Sequence, residues 1–373
     1  MRLDKRQIRN FDFVLLFLTV ALTVYGLIVI YSATHFLDSL EDPFFYVRRQ
    51  AAWMAMGLAG ILFISLINYV NLYYWARYIY LAAALLLILV LLFGRDGGSA
   101  PGVDRWLSLG FIDIQPSEYA KPALIIMLAK YLANKQDGLN SLLDLAPALL
   151  YTGFFMGLIF LQPDLGTSLV FVAVLLGCIY LAGVKFRHLA LIVGGGLTCI
   201  PLFWYFLEEY QRLRLLVFID PDLDPLGAGY QLMQSIIAVG SGGIDGKGIF
   251  DGSQVQGLFI PEQHTDFIFS VLAEELGFAG AAVLLVLFFL LIYRILWIGS
   301  QSKDKFGAYI CCGVATMIIF QVIVNIGMTM GIMPVTGLPL PFMSYGGNAL
   351  LATFLSIGLV LNVGMRRNRI QFY

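Results

Sequence analysis

The sequence predicts an all-α integral membrane protein: a bundle of about ten transmembrane helices with one large extracytoplasmic loop at 208–265. Three observations predict it. Of 373 residues, 60% are hydrophobic and 13% charged, where a soluble domain carries roughly half and a quarter. Apolar runs approaching the roughly 20 residues that a helix needs to cross a bilayer recur along the chain. They are too long and too continuously apolar for the alternating strands of a membrane barrel.

The elements follow in order. The N-terminus, MRLDKRQIRN, is basic and leads into the run 11–31. That run is longer than a signal-peptide core and has no small-residue cleavage site behind it, so it reads as a retained first span. Runs 51–67 and 74–93 come next, then the polar stretch 94–115, GRDGGSAPGVDRWLSLGFIDIQ, an outer loop. The run 116–132 is the weakest, because it carries Glu118 and Lys121. Runs 145–161, 165–181 and 189–207 contain no charged residue. In the loop 208–265, Tyr230, Met233, Ile236 and Ile237 recur at helical spacing, which predicts a short amphipathic helix on the membrane surface. The run 267–297 exceeds a bilayer's thickness and should tilt or project. Runs 307–330 and 345–363 complete a single polytopic domain, 1–373, without an internal repeat.

With ten spans both termini share a side. Most of the 23 basic residues, from Arg2, Lys5 and Arg6 to Arg366, Arg367 and Arg369, fall there, so that side is cytoplasmic. Acidic residues crowd the other side, which suggests that the polar chemistry is extracytoplasmic. A net charge of −1 provides no basic field for nucleic acid. Cys178, Cys199, Cys311 and Cys312 all lie in apolar stretches, which speaks against a disulfide framework or a zinc site.

Charge inside a span is expensive, at least about 2.5 kcal/mol for one unpaired group. Glu118 and Lys121 are three residues apart and can pair on one helix face; the pair either staples helices or lines a polar cavity. Asp266 stands at the outer mouth of the eighth span, followed by Phe267, Ile268 and Phe269. It is either a helix cap or a general base raised by desolvation. Glu274 lies two turns deeper, loosely on the same side. His264 is either solvated or a proton shuttle. The glycines of 240–248, with Lys247, form either a turn or a phosphate cradle. Trp106 beside Arg105 suits a sugar contact or an interface anchor.

Seven stretches, in order, carry a resemblance over nearly the whole chain: RWLSLG (105–110), QPSEYAK (115–121), QPDLGTS (162–168), DPLGAGYQLMQS (224–235), GSGG…GKG (240–248), HTDFIFSVLAEELG (264–277) and MPVTGLPLPFMSYGG (333–347). Together they resemble the shape, elongation, division and sporulation (SEDS) family of peptidoglycan glycosyltransferases, and its elongation branch more than its division branch. One departure is Asn348-Ala349, where the family commonly has two serines. The resemblance implies polymerisation of lipid II outside the membrane, with Asp266 at the essential acidic position and Glu118 and Lys121 supporting the cavity. It also implies a class B penicillin-binding protein as partner and a divalent cation, Mg²⁺ or Mn²⁺. Transfer from an α-linked diphosphate to a β-1,4 bond inverts the sugar, which needs one base and cations for the leaving group. Arg48, Arg105, Arg212 and Lys247 are outer-side cations for that task, and Trp106, His264, Glu274 and Ser344 complete the candidate substrate-binding set. The rival readings are a lipid II transporter or flippase, a division-type glycosyltransferase, and a scaffold that only recruits a synthase.

Overall fold

The computed structural model describes residues 10–37, 42–96, 104–108, 110, 113–135, 139 and 141–367. Arg2, Lys5, Arg6, Arg9 and Arg369 and part of the 94–115 loop lie outside the described residues.

Every predicted run folds as a helix. α1 (Phe13–His35) begins on Asp12, whose carboxylate accepts the Leu15 N–H at 3.1 Å and satisfies a donor that a helix start leaves open. α2 (Phe45–Leu66) turns tightly into α3 (Tyr69–Phe93), capped by Asn68. The 94–115 loop folds locally into β1 (Arg95–Asp96), β2 (Asp104–Ser108) and β3 (Asp113–Ile114), an antiparallel sheet pairing Arg95 with Trp106 and Leu107 with Ile114. α4 (Pro116–Asn134) starts with proline, whose missing N–H is no loss there. α5 (Ala146–Phe160), α6 (Leu165–Leu181) and α7 (Phe186–Phe206) follow. Three helices lie in the 208–265 region: α8 (Glu209–Ile219), α9 (Ala228–Ser241) and the single turn α10 (Ser253–Gln256). α11 (Ile268–Ser300), α12 (Lys305–Thr329) and α13 (Gly347–Met365) complete the bundle.

Seven of these helices have the length and hydropathy to cross a membrane, while α5 and α6 are apolar but shorter. With α4 they account for the ten runs. α4 is the most polar of the ten and among the most buried, packed against α3, α5, α6, α12 and α13. α7 is the opposite: strongly apolar, with no buried residue. The excess length of the 267–297 run is taken up by a break, since Gly277 has φ 61° and ψ −162° inside α11.

Contacts define the two ends of the bundle. At one, buried Asp12 accepts from Arg294 Nε at 2.9 Å, and the Arg294 and Arg367 guanidiniums lie 4.2 and 4.4 Å from the Trp297 ring. At the other end are the small sheet, the 161–164 turn, the 208–267 region and the 330–346 segment. There Val217, Leu232, Ala238, Ile260, Phe267, Met328 and Val335 form a second apolar cluster, so the large loop packs onto the bundle top. α9 forms where its spacing predicts. Its Leu232, Ser235 and Ala238 face inward, and Met233, Ile236 and Ile237 remain exposed.

Candidate active site

Asp266 sits between the loop cluster and the first turn of α11. A tight turn delivers it: Glu262 has φ 54°, its carbonyl accepts the Thr265 N–H at 3.1 Å, and its carboxylate accepts the Thr265 hydroxyl at 3.1 Å. Ser344, buried in the 330–346 segment, donates its hydroxyl to the Thr265 carbonyl at 2.6 Å and accepts the Leu340 N–H at 2.8 Å. Gln50 of α2 donates to the Ser344 carbonyl at 3.0 Å. Ser344 thus braces the residue before Asp266 from outside the turn.

The Asp266 carboxylate makes no hydrogen bond or ion pair among the described residues. Desolvation pushes its pKa from 3.8 up to about 6; Arg214 and Arg105 pull against that, and Glu262 and Asp164 add to it. A Cβ built on Gly337, itself at φ 70°, would lie 3.3 Å from Asp266 Oδ2 and 3.5 Å from Arg214 Nη1. Carboxylate and guanidinium therefore face each other across a gap bounded by a glycine. The Arg214 guanidinium lies 5.8 Å from the Tyr210 ring centre and has no hydrogen-bond partner among the described residues.

Arg105 has a different role. Its Nε donates to the Gln162 carbonyl at 3.0 Å, and its Nη2 donates to the Pro163 carbonyl and, at 3.1 Å, to the Tyr210 hydroxyl. It thereby ties β2 to the QPDLGTS turn and to α8. Asp164 in that turn caps α6, accepting the Thr167 N–H at 3.1 Å and the Thr167 hydroxyl at 2.9 Å. Trp106 follows on β2, half-buried.

Glu118 and Lys121 form the expected pair, Nζ to Oε1 at 2.7 Å, both fully buried in α4. Beside them the Tyr119 hydroxyl donates to Asn348 Oδ1 at 3.0 Å, and Asn348 Nδ2 donates to the Asp113 carbonyl at 2.8 Å. The departure at Asn348 thus has a bridging role of its own. No hydrogen bond or ion pair joins Glu118 or Lys121 to Asp266 among the described residues, although both lie at the loop-side end.

The remaining candidates lie apart. Glu274 is fully buried, and its carboxylate accepts from Lys247 Nζ at 2.7 Å and from the Gln254 and Val255 N–H groups at 3.0 and 3.2 Å. This arrangement latches the 247–256 segment to α11. The glycine-rich 240–248 stretch is not a phosphate cradle: its Lys247 and Gly248 N–H groups donate to the Glu274 and Glu275 carbonyls at 3.1 and 2.9 Å. It bridges the α11 break, since Phe278 and Ala279 donate back to Gly243 and Ile244. Arg48 pairs with Asp42 at 2.8 Å and is 73% exposed, and Arg212 donates to the Tyr205 carbonyl at 2.9 Å. His264 packs between Tyr46 and Tyr345, with burial holding its pKa below the usual value. Among the described residues no three His, Cys, Asp or Glu side chains converge as metal ligands.

Arg214 and Asn325, which donates to the Asp266 carbonyl, are the site residues that the sequence reading passed over. Asn325 had one visible signal, a carboxamide inside an apolar run. Arg214 could not be told from Arg212 without the helix that carries both.

The FTSW_RODA_SPOVE family model, described as cell cycle protein, matches residues 13–369. Peptidoglycan glycosyltransferase MrdB of Escherichia coli (strain K12) is 39% identical over 370 residues, 97% of this chain and 95% of that protein. Among solved structures, a chain of a peptidoglycan synthase complex that coordinates polymerization and crosslinking superimposes with a TM-score of 0.80. It is 37% identical, over 96% of this chain and 98% of that one. Rod shape determining protein RodA of Thermus thermophilus gives a TM-score of 0.71 at 32% identity, over 96% and 98% of the two chains.

Proposed function

This chain belongs to the FtsW–RodA–SpoVE family, and from that premise we propose how its loop-side site works as a peptidoglycan glycosyltransferase. The protein is a multi-pass membrane enzyme of cell-wall synthesis. It polymerises lipid II into glycan strands during cell elongation, at the extracytoplasmic face, with both termini in the cytoplasm. The placement of Asp266 carries the reading: it is a desolvated carboxylate, uncommitted to any hydrogen bond among the described residues, facing one arginine likewise uncommitted among them.

In the reaction the acceptor 4-hydroxyl gives its proton to an Asp266 oxygen while its oxygen attacks the donor anomeric carbon. The bond to the lipid diphosphate breaks on the opposite face, so one displacement inverts the centre, without the covalent intermediate of retaining enzymes. A base with a pKa near 6 is ionised at neutral pH yet still basic enough to take a proton. Arg214 meets the developing charge on the diphosphate, as a planar guanidinium suits phosphate oxygens. Arg105 holds β2 and the 162–164 turn around that space. Glu118 and Lys121 keep the top of α4 polar and fixed. Mg²⁺ or Mn²⁺, which bind largely through substrate phosphates and water rather than a cage of protein ligands, would add charge neutralisation at the diphosphate, and the described residues form no three-ligand cluster for it. The partner is a crosslinking enzyme, a class B penicillin-binding protein, as the synthase complex supports.

Asp266→Asn keeps the shape of the side chain and removes the base. Purified with its partner, the variant should polymerise labelled lipid II about 10²–10⁴-fold more slowly while eluting as a monodisperse species. Long glycan made at the wild-type rate would exclude Asp266 and leave the transporter and scaffold readings standing.

A further inference from the structure

Asn325 lies in the apolar interior of α12, fully buried. A buried carboxamide costs free energy where its polar atoms go unpaired, and Asn325 leaves its Oδ1 without a partner among the described residues, so what it brings there is its N–H groups. They find two acceptors: Nδ2 donates to the Asp266 carbonyl at 2.9 Å and to the Leu338 carbonyl at 2.8 Å. Among the described residues no backbone N–H reaches either carbonyl. Both belong to non-helical segments, one entering α11 and one within 330–346, so neither is fixed by a helix ladder. Leu338 is adjacent to Gly337, and it is across Gly337 that the Asp266 carboxylate and the Arg214 guanidinium face each other.

We propose that Asn325 is a positioning residue of the transfer site: its carboxamide clasps the Asp266 and Leu338 main chains and so sets the spacing between the Asp266 carboxylate and Arg214. The inference rests on the reading of Asp266 as the base. Four charged groups face that carboxylate: Arg214 from α8, Arg105 from β2, Asp164 from the cap of α6, and Glu262 from its own turn. Three of them stand on other elements, whereas Glu262 moves with Asp266. When the clasp is lost, the turn loosens from both arginines but keeps Glu262 beside it. The water and charge around the carboxylate then change together, so the pH at which Asp266 gives up its proton moves, and the base is displaced from the attacking hydroxyl. Misplacing a reacting group by about 1 Å costs up to about 10²-fold in rate.

The test is the pH–rate profile of lipid II polymerisation by full-length protein with its partner. Asn325→Leu and Asn325→Met suit the apolar surroundings, add no charge and donate nothing. Asn325→Gln keeps both donors. The Leu and Met variants should show kcat lowered about tenfold or more, KM within about twofold, and an acid limb displaced from its wild-type position. The Gln variant should recover the wild-type limb in part. Each is checked for monodisperse elution, and one folded donor-free variant suffices. A folded donor-free variant with an unmoved acid limb overturns the proposal, whatever its kcat, because general destabilisation lowers the active fraction without shifting that limb. If Asp266→Asn is inactive while the Asn325 variants keep the wild-type limb, the base reading survives and the positioning role fails. If Asp266→Asn is active, both fall.

Discussion

Near pH 6 half of the Asp266 carboxyls are ionised, and stability and catalysis depend on that ionisation with opposite sign. The folded environment raises the pKa from 3.8, so it disfavours the charged form. The stability penalty is therefore absent below about pH 4, grows as pH rises through about 6, and is constant above. Polymerisation rises over the same window. Asp266→Asn should melt at or above the wild-type temperature at pH 7 and match it below about pH 4, as read by thermal unfolding in detergent; a lower melting temperature at pH 7 would contradict the desolvation. The Glu118–Lys121 pair gives a second residue-scale expectation. Glu118→Gln leaves a buried ammonium without its carboxylate, a loss of about 3–5 kcal/mol, and apolar replacement of both residues should recover much of it. Thermal unfolding ranks the variants, and normal polymerisation by the double variant would reduce the pair to a structural tie. The sequence made these charges legible because acids and bases stand out in apolar runs. It did not separate Arg214 from Arg212, because two residues apart on a helix means about 200° of rotation, and only the docking of α8 decides which one points inward.

Elements were legible where periodicity and length agree, and less so where one element interrupts another. The Gly277 break reads in sequence as a tolerated glycine within a long apolar run. Its cause lies in the 240–248 stretch, which supplies main-chain partners on both sides of the break. Gly246 is a tight point of that union in a left-handed conformation: it has φ 80°, and an added Cβ would fall 2.1 Å from the Glu275 carbonyl oxygen. Gly246→Ala should destabilise the protein by about 1–3 kcal/mol and speed amide exchange at 243–256 more than in α12 or α13. Uniform exchange changes across the bundle would show that the stretch is not a separate docking unit. The Glu274 carboxylate, expected near substrate, is used in the same union, and its burial depends on a loop conformation that no helical-wheel argument contains.

At the scale of the molecule, hydropathy reports contact with lipid rather than depth in the protein. α4, poorest in apolar character, is enclosed by five helices, so its charges meet protein instead of hydrocarbon. The basic residues predict the direction of the chain across the membrane, and single cysteines test it. Ser253→Cys should react with an impermeant thiol reagent in intact cells, and a cysteine replacing Ser302 should not. The reverse pattern would invert the topology and place Asp266 in the cytoplasm. α7 shows the other side of the same rule. It buries no residue and meets the bundle only at a few positions, such as the partly buried Leu189 and Ile192 and the Phe203 ring against Phe160, so most of its sequence is answerable to lipid and to length. Away from those positions such a segment is interchangeable in the way a linker is: an unrelated apolar helix of equal span that keeps Leu189, Ile192 and Phe203 should leave the assembly of the other nine undisturbed. The rest of its letters can then be rewritten one apolar residue at a time without compensating changes elsewhere.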